Sequence, residues 1–136
     1  MAYIKPKREQ ITRLAESRKD GPVVMLNLLR FAERSAGKEG KSGADSYETY
    51  GGQMREIMAK RGIKLLWRGH GDSVVIGDDE TDAWDMVLLV EYPSRKVFLE
   101  MASSKDYGKV GEHRTSALVD SRLIACTEQY RARTEG

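Results

Sequence analysis

Ile63-Lys64-Leu65-Leu66-Trp67-Arg68-Gly69-His70 and Trp84-Asp85-Met86-Val87-Leu88-Leu89-Val90-Glu91-Tyr92 decide the fold. Both runs are apolar and aromatic, bounded by Gly and Asp, the pattern of two paired strands. The first arm is expected to continue through Val74-Val75-Ile76. Gly77-Asp78-Asp79-Glu80-Thr81-Asp82-Ala83 then reads as an acidic, solvated turn. Alternation along the first arm puts Leu65, Trp67 and Gly69 on one face and Leu66, Arg68 and His70 on the other. An Arg and a His two apart on one face of a central strand are the least ordinary pair in the chain.

Upstream, Val23-Val24-Met25-Leu26-Asn27-Leu28-Leu29-Arg30-Phe31 is a near-continuous apolar run, as in a strand buried on both faces. Asn27 interrupts it, and a buried amide needs partners: neighbouring backbone or a pocket. Asp45 to Arg61 reads as a helix, with Asp45 and Glu48 spaced as a capping box and Gly62 placed to end it. Tyr47, Tyr50, Met54, Ile57 and Met58 share one helix face. Gly51-Gly52 inside the helix costs about 1 kcal/mol per residue relative to Ala, which predicts a close approach to the backbone there.

Downstream, Pro93 closes the second arm and Ser94 caps a helix carrying Val97, Phe98 and Met101. Ser103-Ser104 interrupts it, and a continuation from Lys105 to Leu118 carries Arg114 on the face of Val110. Leu123-Ile124-Ala125-Cys126-Thr127 reads as the last strand, with Cys126 as a small buried hydrophobe. Pro6 to Arg18 reads as an outlying helix stopped by Asp20-Gly21-Pro22. One domain is expected: a helical extension over 1–21, a core over 22–128 and a polar tail over 129–136. Strand, helix, strand, strand, helix, strand is the α+β, βαββαβ order of ferredoxin-like folds. Its four-stranded antiparallel sheet has helices on one face. The other face stays apolar, and such a patch predicts a homodimer packed sheet to sheet.

The 136 residues are 40% hydrophobic and 32% charged, ordinary for a soluble domain, with a formal net charge of +2. That balance argues against nucleic acid or an anionic membrane as partner. The aromatic motifs of an RNA-binding sheet are missing as well. The single cysteine suits a reducing compartment, and no apolar run reaches the length of a membrane helix or follows the N-terminal basic residues as in a signal peptide. A cytoplasmic protein is expected. The Ala32–Ala44 stretch, rich in Gly, Lys and Ser, reads as a surface loop. Gly40-Lys41-Ser42 within it invites comparison with a phosphate loop, but Ser35 stands where the first Gly is required and Gly37 is misplaced. Two distant histidines and an acidic turn without calcium-loop spacing predict no metal, and no cofactor is expected.

Asn27 in its apolar run, Tyr47 with Tyr50, Trp67-Arg68-Gly69, Glu91-Tyr92-Pro93-Ser94, and Ser104-Lys105-Asp106-Tyr107 followed by Arg114 together resemble a group of small bacterial proteins. That group is domain-of-unknown-function group 1330, within the dimeric α/β-barrel superfamily. The resemblance covers roughly Pro22 to Glu128. Arg68-Gly69-His70 stands where the group often has Arg-Gly-Gly, and Tyr92 where it commonly has Phe, so no role for His70 is inherited. The resemblance implies a dimeric α/β barrel. Its superfamily includes cofactor-free monooxygenases, isomerases, haem-handling proteins and ligand sensors, among which fold does not choose.

The functional expectation is a small-molecule-binding dimer, either a metal-free, cofactor-independent enzyme (monooxygenase- or isomerase-like) acting on a small aromatic or acidic metabolite, or a non-catalytic binding or stress-related homodimer. Arg68 and Arg114 would stabilise developing negative charge and His70 would move a proton. Asn27, Tyr47, Tyr50 and Trp84 complete the candidate set by orienting the ligand.

Overall fold

Nine residues that are apolar except for Asn27 and Arg30, Val23–Phe31, form strand β1, and the other elements are placed around it. The structure, a computed structural model, describes residues 2–35 and 41–132. Gly37 and Gly40 of the phosphate-loop comparison, and the end of the polar tail, lie outside the described residues. β1 pairs antiparallel with β3 (Met86–Tyr92) on one side and β4 (Leu118–Cys126) on the other. β2 (Lys64–Gly69) pairs with the far side of β3. Helix α2 (Gly43–Ala59) joins β1 to β2, and α3 (Arg95–Ala102) followed by α4 (Lys105–Ala117) joins β3 to β4. With sheet order β2-β3-β1-β4, this is the expected α+β, ferredoxin-like βαββαβ arrangement. Helix α1 (Arg8–Ala15) lies outside it and buries none of its residues, though Leu14 touches the core.

Local chemistry sets most boundaries. Ser94 Oγ accepts from Val97 N at 3.1 Å and starts α3; Ser104 Oγ accepts from Tyr107 N at 3.2 Å and starts α4. The expected capping box at Asp45 does not form. Ser42 is the cap, accepting from Asp45 N at 3.0 Å, which leaves Asp45 in the first turn where the helix dipole favours a negative charge. Nor does anything approach Gly51 or Gly52. The close approach is at Gly43, where a Cβ would run into the carbonyl oxygens of Ala32 and Ala117.

Two further expectations are corrected in β2. It is an edge strand, not a central one, and Val74-Val75-Ile76 does not extend it. Val75 and Ile76 are 90% and 96% exposed in the connection to β3. A bulge between Leu65 and Trp67 also breaks the alternation. Leu65 pairs with Val90 and Arg68 with Leu88, toward the helices, while Trp67 and Gly69 pair with Leu89 and Val87 on the other face. An extra residue in a strand shifts everything after it to the opposite face. β4 starts at Leu118, straight out of α4 and well before Leu123. Its Cys126 is only partly buried.

Val23, Met25 and Leu29 of β1 are almost wholly buried under the helices. Around Met25 gather Met54, Ile57, Phe98 and Met101; around Leu29 gather Tyr47, Met86, Leu88 and Ala117. Each such side chain contributes about 1.5–3 kcal/mol of burial. The opposite face keeps Trp67 53% and Ile124 48% exposed.

Candidate functional site

Strand register fixes the floor of the site. Arg68 pairs with Leu88, Leu88 with Asn27, and Asn27 with Leu123, so the four form one row across the helix-covered face. Asn27 is 9% exposed and spends one amide hydrogen on Met25 O at 3.2 Å. Arg68 lies two strands away, about 10 Å at ordinary strand spacing, on the sheet edge. Its guanidinium meets Glu48 of α2 at 3.4 Å.

Above this floor stands a chain of aromatic rings. Phe31 meets Tyr47 at 5.5 Å between centroids, Tyr47 meets Tyr50 at 5.3 Å, and Tyr50 meets Tyr107 edge-on at 6.2 Å. The Tyr50 and Tyr107 hydroxyls are 3.4 Å apart. Burial pushes the Tyr47 phenol up to about 12, against the opposing pull of Arg114. Burial, with the Tyr107 hydroxyl beside it, pushes Tyr50 well above its ordinary value, and burial raises Tyr92 as well. At neutral pH these phenols are therefore uncharged hydrogen-bonding groups and not bases.

Arg114 lies within electrostatic reach of Tyr47, Tyr50 and Tyr92, opposing the upward push of burial on each. Its Nη1 donates to Ile4 O at 3.3 Å, and among the described residues no carboxylate pairs with it. Beside it opens a cavity of about 280 Å³, walled by Ile4 and Lys5 on one side and by Tyr107, Gly111, Glu112 and Arg114 of α4 on the other. A Cβ on Gly111 would come within 3.1 Å of the Tyr107 ring, a tight contact.

The structure thus brings Asn27, Tyr47, Tyr50, Arg68 and Arg114 to one side of the sheet. His70 and Trp84 lie elsewhere. His70 follows the end of β2, with Nδ1 3.4 Å from Asp85 O. Trp84 lies at the outer face, its ring 4.7 Å from the Arg30 guanidinium and 5.2 Å from that of Arg122. Both arginines pair with Asp120, at 3.4 and 2.7 Å. Burial alone would raise Asp120, but the Tyr3 N–H and Arg122 hold its carboxyl below the usual range. Sequence reasoning missed Lys5 and the wall formed by residues 4–6, for which nothing local gives a signal. Tyr107 was legible as an apolar-face residue of α4 but not as a partner of Tyr50. Among the described residues, no cluster of three or more His, Cys, Asp or Glu could hold a metal ion, and no helix is long and apolar enough to cross a membrane.

The chain is similar over 96% of its length, and over all of the other chain, to a crystal structure of a protein of unknown function from Rhodopseudomonas palustris, at 32% identity and a TM-score of 0.90. A ferredoxin-like dabb-family protein from Mesorhizobium loti shares 9% identity, with 82% of this chain and all of that one covered, at a TM-score of 0.53. A dimeric ferredoxin-like protein of unknown function from Thermobifida fusca shares 11% identity over 83% of this chain and 96% of its own, at a TM-score of 0.50. These last two speak for the fold alone. No curated protein matches the chain. The family model for the domain of unknown function DUF1330 matches residues 42–127, from the cap of α2 to just past β4, and the chain belongs to that family.

Proposed function

We propose that this protein is a homodimer that binds a small acidic metabolite, aliphatic or aromatic, in the helix-side cavity of each subunit. The observation that carries this reading is Arg114, a partly buried guanidinium among neutral phenols with no carboxylate to pair with among the described residues. A planar guanidinium in that setting takes a carboxylate or enolate oxygen through two parallel hydrogen bonds. Tyr107, which lines the same cavity, orients the rest of the ligand with the Tyr50 hydroxyl beside its own, while Tyr47, Asn27 and Arg68 lie behind or beyond the cavity wall. Because burial keeps the phenols protonated, they donate hydrogen bonds and do not abstract protons. The geometry therefore favours recognition of an anion over turnover. A metal-free isomerase- or monooxygenase-like reaction would need His70 brought to the ligand from the end of β2.

The dimer reading is supported by the outer face, where Trp67 and Ile124 stand half-exposed beside Leu26, Leu28, Val87 and Leu89. Calorimetric titration with benzoate, hydroxybenzoates and short-chain carboxylates tests the site. Charge-assisted hydrogen bonds of about 1.5–3 kcal/mol correspond to a tenfold or greater loss of affinity in Arg114→Ala. Equal binding by that variant, or no binding by the wild type, defeats the ligand reading. Product formation from lactones, quinols or phenols would instead favour the enzyme reading.

A further inference from the structure

The chain ahead of α1 is stitched to the rest of the molecule. Tyr3 N donates to Asp120 Oδ1 at 2.8 Å, and Ser121 Oγ donates to Tyr3 O at 2.6 Å. The Arg122 guanidinium lies 4.8 Å from the centre of the Tyr3 ring. One residue on, Ile4 packs against the core around Leu29, and its carbonyl accepts from Arg114 Nη1. Lys5 is therefore carried on backbone held at both residues before it, with α1 following at Arg8. It lines the cavity across from α4, whose Glu112 lines the same space. Both residues are exposed and so belong to the open mouth, while partly buried Tyr107 and Arg114 lie deeper. Among the described residues neither the Lys5 nor the Glu112 side chain has an ion-pair or hydrogen-bond partner.

We propose that Lys5 and Glu112 are specificity-determining residues that select, among small acids, those carrying a hydroxyl group as well as a carboxylate. The inference rests on the ligand reading above and adds the ligand's second functional group. Arg114 takes the carboxylate, which leaves one positive and one negative side chain at the mouth. A second carboxylate there meets Lys5 but is opposed by Glu112; an ammonium meets Glu112 but is opposed by Lys5. A hydroxyl accepts from the Lys5 ammonium and donates to the Glu112 carboxylate, so both are satisfied and no charge is added. A bare hydrocarbon leaves both to water and gains nothing from either. The cavity of about 280 Å³ lies just below the range of about 300–1,000 Å³ usual for small-molecule sites, which suits a single ring or a short chain.

Calorimetric titration of two matched series tests this: benzoate, para-hydroxybenzoate, terephthalate and para-aminomethylbenzoate, and butyrate, β-hydroxybutyrate, succinate and γ-aminobutyrate. The proteins are wild type, Lys5→Met, Glu112→Gln, Lys5→Met/Glu112→Ala and Arg114→Ala, with circular dichroism confirming the fold. In wild type the hydroxy acid is expected to bind about fivefold tighter than its parent acid in at least one series, the scale of one net hydrogen bond. Glu112→Gln should tighten the diacid, and Lys5→Met the amino acid, by about threefold, the scale of one exposed charge contact; a merely structural role for either residue moves neither. Equal binding of every acid in both series, or a preference for the diacid or the amino acid, with all binding lost in Arg114→Ala, overturns the hydroxyl inference alone. So does a hydroxyl preference that survives in Lys5→Met/Glu112→Ala. A wild type that binds none of these acids defeats the ligand reading and this inference with it.

Discussion

On the helix-covered face of the sheet, Asn27, Tyr47 and Tyr50 lie near Arg114, whose guanidinium has no carboxylate partner among the described residues. On the other face, Arg30, Arg122 and Asp120 close on one another around Trp84. At the far end of that face Arg131 is pinned between Glu91 and Glu128. Charges that are mutually satisfied are a poor basis for binding a charged ligand, because it must first displace an existing pair. An unpaired guanidinium beside neutral phenols has no such cost. The bare apolar centre of the outer face, in turn, suits a large partner surface. In the proposed function, one sheet separates small-anion recognition from subunit contact.

The comparison breaks most visibly through core truncation. Leu29→Ala, under the helices, is expected to cost about 3 kcal/mol in denaturant unfolding, whereas Ile124→Ala in dilute protein costs less than about 1 kcal/mol. A cost at Ile124 that grows with protein concentration would mark the outer face as covered. Trp67→Asp should weaken dimerisation roughly a hundredfold by sedimentation, about 2.7 kcal/mol, and leave the far-ultraviolet spectrum unchanged. Next comes the alkaline limb. Burial pushes the folded Tyr47 phenol from its ordinary value near 10 up to about 12, so its contribution is fully present below pH 10 and is lost as pH rises toward 12. That amounts to roughly 2–3 kcal/mol, and Tyr47→Phe should flatten this limb in a pH series of denaturation curves. The smallest effect is at the other end of α2. The Arg61 guanidinium grips Asp106 through two contacts of 3.1 Å and holds its carboxyl well below the usual range. This contribution is present above the unfolded carboxyl value near 4 and is lost as pH falls below it. Asp106→Asn should slightly flatten the acid limb of the same series.

Several features were legible because they rest on short-range chemistry. The apolar run Val23–Phe31, the Ser94 cap and the Ser103-Ser104 break each involve residues within a few positions of one another, and each stands in the structure as the sequence implies. Ser42 was overlooked because Asp45 and Glu48 have the same spacing as a genuine box. The facing of the candidate site was harder. Alternation assigned Arg68 correctly relative to Trp67 but not to Leu65, because a bulge has no local signature here.

The residue pattern by itself determined the order and type of the elements, and with them an α+β sheet having one helix-covered face. Periodicity and capping act within a turn or two of chain, so they are written locally. Tertiary structure alone decided that Trp84 meets Arg30 and Arg122, that Ile4 and Lys5 wall the cavity beside Arg114, and that Val75 and Ile76 are exposed in a connection instead of in a strand. Those outcomes depend on contacts such as Arg114 with Ile4, 110 residues apart. Only the balance of packing and hydrogen bonding over the whole molecule fixes them.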